Sequence, residues 1–242
     1  TRKESSAASD VYKRQGKYNL ITPSSSELDV TSSKDFHGYL FYHQPDYVIH
    51  LAAACGGIGA NQKSPADFFF KNSQMSLNVL SACHNLNIKK LITLGSVCSY
   101  PKFTPVPFKE EDIWNGYPEE TNAPYGIAKK NLLVGCKAYN DQYGSNFIHL
   151  IPVNMYGEHD NFNPEKSHVI PALMRRFHEA KINDDHSVEV WGTGKAMREF
   201  LYVDDMAEAS LFILEIDKKI YLDNTEPMLS HINIAVSYTH LT

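Results

Sequence analysis

Tyr47-Val-Ile-His-Leu-Ala-Ala53 is a near-continuous apolar run that ends in small residues. A run without polar alternation is what a parallel strand covered on both faces requires. The chain on either side supports that reading. A helical stretch follows over residues 66–85, with Pro65 as its start signal. Leu91-Ile-Thr-Leu-Gly-Ser96 is the next strand and again ends in small residues. A proline-rich loop over 101–118 leads to a helix over 124–143, which Asn122 is placed to cap. Residues 146–151 read as a further strand, closed by Pro152. Ser167 is placed to cap a helix over 169–180, and a short strand is expected over 187–191. A helix over 203–215 carries Asp204 and Asp205 in its first turn, where negative charge is favourable, and 231–235 is strand-like. Strands alternating with helices through short connections predict an α/β fold with a doubly wound parallel sheet. Ligands bind such sheets at the carboxyl ends of the strands. Ala52 to Ala54, Gly95 with Ser96, and Pro152 to Met155 all fall at such ends.

Composition narrows the functional classes. The 242 residues are 43% apolar and 21% charged, an ordinary globular balance. That length holds one α/β domain and a smaller lobe. A net charge of -5 gives no reason to expect nucleic acid, which wants a basic face. The pair Arg175–Arg176 suits a small phosphorylated ligand better than a polymer. No apolar run is long enough to span a membrane, and the N-terminus is polar, without the core of a signal peptide. Cys55, Cys83, Cys98 and Cys136 are scattered, with no C-x-x-C spacing and no H-E-x-x-H among the histidines. Zinc and a disulfide framework are therefore not expected, and a cytoplasmic location is.

Chemistry enters with Tyr125 and Lys129. Their i, i+4 spacing puts both on one helix face. One reading is a tyrosine acid whose pKa a neighbouring ammonium lowers by roughly two to three units from ~10. With 14 tyrosines in the chain, about one Y-x-x-x-K is expected by chance, so the pair alone decides nothing. Ser96 adds context: it ends a predicted strand 29 residues before Tyr125, which points a hydroxyl and a phenol at the same crevice. A strand-end serine satisfying local backbone, beside a surface Tyr–Lys pair, is an equal competitor at this point.

Longer stretches carry a resemblance. These are Gly95-Ser-Val-Cys-Ser-Tyr-Pro-Lys102, Asn122-Ala-Pro-Tyr-Gly-Ile-Ala-Lys129, Pro152-Val-Asn-Met-Tyr-Gly157, His159-Asp-Asn-Phe-Asn163, Ser167-His-Val-Ile-Pro-Ala172 and Met197-Arg-Glu-Phe-Leu-Tyr-Val-Asp-Asp-Met206. They resemble the extended short-chain dehydrogenase/reductase family, and within it the branch that inverts and reduces GDP-4-keto sugars. The resemblance implies a Rossmann-like fold lacking its first βα unit, with a smaller, incomplete substrate lobe. It implies an NADP-binding domain over 16–160 and a substrate lobe over 161–235, with a segment near 199–215 returning to the main domain. The strings 1–15 and 236–242 read as tails foreign to the domain.

The activity implied is inversion at C3 and C5 of GDP-4-keto-6-deoxy-D-mannose, then NADPH-dependent reduction at C4 to GDP-L-fucose. By resemblance Ser96, Tyr125 and Lys129 are the triad, while Cys98 and His168 exchange protons on the two faces of the sugar. An ordinary thiol near ~8.5 and imidazole near ~6.5 suit that task. Ala52, Ala53, Ala54, Lys129, Pro152, Val153, Asn154, Met155 and His168 are implied to face NADP(H). Val169, Leu173, Arg176, Trp191 and Arg198 are implied to face the GDP-sugar, the arginines as forks for phosphate oxygens. A homodimer through the helix bearing Tyr125 is implied as well.

One departure stands out. Before Tyr47 no G-x-x-G-x-x-G loop appears; Gly16 and Gly38 stand alone, and Gly56-Gly57-Ile-Gly59 follows a later strand. The chain as written is therefore expected to bind NADP(H) weakly. Two rivals remain at this stage: another nucleotide-sugar epimerase or dehydratase of the same family, and an inactive nucleotide-binding fragment.

Overall fold

The computed structural model describes residues 17–163, 167–190, 198–225 and 229–235. Its order is α1 (Ser33–His43), β1 (Tyr47–His50), α2 (Ile58–Lys63), α3 (Pro65–Asn85), β2 (Lys90–Leu94), α4 (Ala123–Tyr143), β3 (Phe147–Pro152), β4 (Asn154–Tyr156), α5 (Val169–Asn183), β5 (Phe200–Tyr202), α6 (Val203–Glu215), α7 (Lys218–Asp223) and β6 (His231–Ile234). Two 3-10 turns, Val97–Ser99 and Glu110–Trp114, sit between β2 and α4. Four parallel strands form the main sheet in the order β1-β2-β3-β6, and β4 pairs with β5 in a second, two-stranded parallel sheet.

Strand alternation sorts the core into two layers. Leu91 and Phe147, paired in register, face α1, α3 and α4 through Phe36, Leu40, Val79, Leu80, Leu132 and Cys136. Their neighbours Ile92 and Ile148, also paired, face Met206, Leu211 and Leu214 of α6 and Tyr221 of α7. Helices thus cover both faces, and the expected α/β class is borne out. On the first face Gly135 brings α4 close to α3: a Cβ there would overlap Leu80.

The sequence reading needs correction in several places. The run from Tyr47 leaves the sheet after His50, and only His50 in β1 is buried. Among the described residues β1 is an edge strand; coverage on both faces belongs to β2 and β3. No strand forms over 187–190, while Trp191 and both tails lie outside the described residues. Asn122 and His168 hold the N-cap positions of α4 and α5, but neither side chain caps; Asn122 bonds Glu119 instead, and the Ser167 hydroxyl is buried without a partner. The helix α1 was not expected, although Ser32 caps it through the Asp35 amide and Phe36 and Leu40 are buried one turn apart. β6 joins the main sheet beside β3, so the return of the chain extends past residue 215.

Lys90 shows how the layers are joined. Its buried ammonium donates to the carbonyls of Ile213, Leu214 and Ile216 at 3.1, 2.8 and 2.6 Å. A cation there answers the carbonyls left open at the end of α6.

A polar rung crosses the same sheet. His50, Thr93, His149 and His231 stand at one register level on four successive strands. All are buried, and the Thr93 hydroxyl lies 2.8 Å from His149 Nδ1. Burial, reinforced by Lys129, lowers the His50 pKa to about 3 and the His149 pKa well below its ordinary value; burial also lowers that of His231. The unfolded chain binds protons to these rings near pH 6.5, whereas burial holds them neutral to lower pH in the folded chain, His50 until about 3. Stability is thus undiminished above about pH 6.5 and falls as pH drops below it, because the unfolded rings gain protons that the buried ones refuse. The denaturant midpoint should therefore fall between pH 7 and pH 5; a flat profile would sink this account.

Candidate active site

Three elements meet at the carboxyl end of β2. Gly95 and Ser96 follow the strand, the Val97–Ser99 turn carries Cys98, and the first turns of α4 carry Tyr125 and Lys129. Gly95 is required by close approach: a Cβ there would lie 2.5 Å from His149 Nε2 and 2.9 Å from Ile151 Cγ1. Gly126 lies against the Cys98 carbonyl with no room for a Cβ. Backbone contact of this kind holds the turn and the helix together.

Ser96 is the hub. Its hydroxyl accepts the Cys98 amide at 3.2 Å and lies near enough to the Tyr125 phenol and the Cys98 thiol to lower the pKa of each. Lys129, 4% exposed, donates to the Leu94 carbonyl at 3.0 Å, and its ammonium stands 5.9 Å from the Tyr125 ring centre. Burial lowers the Lys129 pKa to about 8, with Cys55 opposing the shift, so an ammonium persists at neutral pH.

The phenol departs from expectation. Burial, with the Cys55 and Cys98 thiols adding to it, raises the Tyr125 pKa well above its usual value, and the Ser96 hydrogen bond offsets only part. The phenol stays protonated, which is the form that donates a proton. Cys98 is likewise pushed up, by burial first and by Glu119, against the Ser96 hydrogen bond. Its resting form is the thiol rather than the thiolate.

The remaining candidates lie elsewhere. A cleft of about 2160 Å³ opens beside β1, and its walls include Ala52, Ala53, Ala54, Asn154, Met155, His168, Val169 and Arg198. Ser96, Cys98, Tyr125 and Lys129 do not line it, so this cleft and the chemical cluster are neighbours rather than one space. They adjoin at β1, where Cys55, next to Ala54, and buried His50 both sense the Lys129 charge. His168 lines the cleft, whereas Cys98 does not. Pro152 is buried at the end of β3, and Val153 donates its amide to Ile234. Leu173 is half-buried outside the cleft. Of the arginine pair, Arg175 lines the cleft while Arg176 donates to the Glu189 carbonyl at 3.3 Å.

Sequence reasoning missed Asn72. Buried on α3, it accepts the Ala54 amide at 3.0 Å and donates to the Ala54 carbonyl at 2.8 Å, which fixes the small-residue wall of the cleft. A nicotinamide dinucleotide fits that wall, because alanines held by an outside clamp let a flat ring approach the backbone. Among the described residues no group of three His, Cys, Asp or Glu is arranged to hold a metal ion, and no helix is long and apolar enough to cross a membrane.

A parallel sheet wrapped on both faces, with serine, tyrosine and lysine gathered at one strand end, defines a protein of the short-chain dehydrogenase/reductase type. Comparison with known proteins makes the assignment specific: residues 2–224 match the model of the NAD dependent epimerase/dehydratase family, and the chain belongs to that family. It is 45% identical over 221 residues to GDP-L-fucose synthase of Escherichia coli, covering 91% of this chain and 69% of that one. It is 48% identical over 201 residues to GDP-L-fucose synthase 1 of Arabidopsis thaliana, covering 83% of this chain and 62% of that one. Among solved structures it resembles a GDP-L-fucose synthetase from Naegleria fowleri bound to NADP, with a TM-score of 0.84, 30% identity, and coverage of 96% and 73%. The chain thus spans about two thirds of the length of these curated relatives. The resemblance stated from the sequence is borne out.

Proposed function

We propose that the chain carries the reacting groups of an NADPH-dependent 3,5-epimerase/4-reductase that converts GDP-4-keto-6-deoxy-D-mannose into GDP-L-fucose. The observation that carries this reading is the gathering of Ser96, Cys98, Tyr125 and Lys129 at the carboxyl end of β2, with Ser96 bonded to the Cys98 amide and close enough to the Tyr125 phenol and the Cys98 thiol to lower the pKa of each. A ketone oxygen seated at Ser96 and Tyr125 meets two donors placed for developing negative charge. The ketone acidifies the C–H bonds at C3 and C5, and Cys98 stands beside it as a proton donor for the enolate that forms. His168, from the wall of the neighbouring cleft, supplies the partner base when substrate spans both spaces. When bound, NADPH supplies the hydride that reaches C4. Tyr125 gives C4 oxygen its proton, and the Lys129 ammonium steadies the charge left on the phenol. Lys129, Ala52 to Ala54, Asn154 and Met155 form the cofactor side in this reading, and Val169, Arg175 and Arg198 the GDP-sugar side. Residues 161–190 then begin a substrate lobe.

The test follows solvent deuterium into C3 and C5 of the 4-keto sugar. Cys98→Ser should cut that incorporation by about 100-fold or more. Unchanged incorporation returns Cys98 to a packing role.

A homodimer fits the outer face of the two long helices. Phe70 and Leu77, two turns apart on α3, and Val134 on α4 are exposed apolar side chains. A shared apolar face of this kind suits a twofold helical contact. Light scattering should return twice the chain mass; a monomer at micromolar concentration counts against it.

A further inference from the structure

The Val97–Ser99 turn is fixed from two sides. On the α4 side the Ser99 hydroxyl donates to the Gly126 carbonyl at 3.1 Å. On the other side Tyr100, 3% exposed, donates its hydroxyl to Asn233 Oδ1 of β6 at 2.7 Å. Asn233 is itself held, since its amide N–H donates to Glu110 Oε1 at 2.9 Å and its side chain to the Phe108 carbonyl at 3.4 Å. The Tyr100 ring also packs on Phe108 with centres 4.9 Å apart. Ser96 and Tyr125 do not depend on this second anchor, because β2 and α4 hold them.

We infer that Tyr100 and Asn233 are positioning residues: they form a strut that sets where the Cys98 thiol lies relative to Ser96 and Tyr125. The inference rests on the reading of Cys98 given above. Removing the strut leaves the turn held from the α4 side alone, through Ser96, Ser99 and the Gly126 contact, and free to shift on the β6 side. Displacement of a reacting group by about 1 Å costs on the order of 100-fold. The loss therefore falls on proton exchange at C3 and C5, while proton delivery at C4 is spared.

The experiment compares Tyr100→Phe, Asn233→Leu and the double variant in the intact protein with the 4-keto sugar and NADPH. Tyr100→Phe removes one oxygen and keeps the buried ring, so folding is not at stake. Each single variant should slow deuterium incorporation about tenfold or more and raise the share of sugar reduced without inversion. The double variant should be no worse than the poorer single one, since both cut the same strut. Equal falls in exchange and reduction, unchanged exchange, or additive losses in the double variant overturn the proposal. Cys98→Ser in the same assay separates the two layers of the argument. If exchange survives that substitution, the chemical reading of Cys98 fails. If exchange needs Cys98 but ignores Tyr100 and Asn233, the strut alone fails.

Discussion

Gly95→Ala should destabilise the fold by about 1–3 kcal/mol and cut turnover by about 100-fold. The new methyl would fall 2.5 Å from His149 Nε2 and 2.9 Å from Ile151 Cγ1, and both side chains are about 1% exposed. His149 has little room to turn aside, because its other ring nitrogen meets Thr93 at 2.8 Å. The backbone must yield instead, and Ser96 is the next residue. Urea unfolding reads the first effect and NADPH oxidation the second. Adding His149→Ala should restore part of both, since it removes the closer contact and leaves only Ile151. An alanine variant with native stability and rate would refute the crowding argument outright.

Tyr125→Phe should lower single-turnover NADPH oxidation by about 10²–10⁴-fold, the usual worth of a positioned acid. Ser96 still holds the ketone and Cys98 still carries its proton, so deuterium incorporation at C3 and C5 should fall far less. The phenylalanine keeps the packing of α4, and thermal melts of the two proteins should coincide. A variant within tenfold of the parent in the reduction step would remove Tyr125 from the chemistry. The burial that raises its pKa matters here: the side chain acts as a donor without needing to be ionised first.

The long helices were readable because prolines at their starts and apolar spacing agreed, although the expected side-chain caps did not form. The helix α6 was expected over the residues it occupies, 203–215. β1 was overread, because Leu51 and the alanines continue the apolar run although the strand ends at His50. Strands of three residues, β4 and β5, leave too little pattern to detect. The meeting of Ser96 with Tyr125 was legible from strand end and helix spacing. The state of the phenol was not, since the neighbouring Lys129 is visible in the sequence and the surrounding protein is not. Arg175 and Arg176 are adjacent in the chain, and only the helix phase of α5 decides which one meets the cleft. Asn72 and the Tyr100–Asn233 bond carry no local signal, the latter joining positions 133 apart.

Lys90 has a consequence for assembly of the molecule. The last carbonyls of α6 wait for an ammonium that lies between 123 and 126 positions earlier in the chain. The helix cannot finish as a local event, and β2 cannot bury its lysine until the helix arrives. Early and late portions therefore mature as one cooperative unit, and a peptide covering only the late portion would fray at that end.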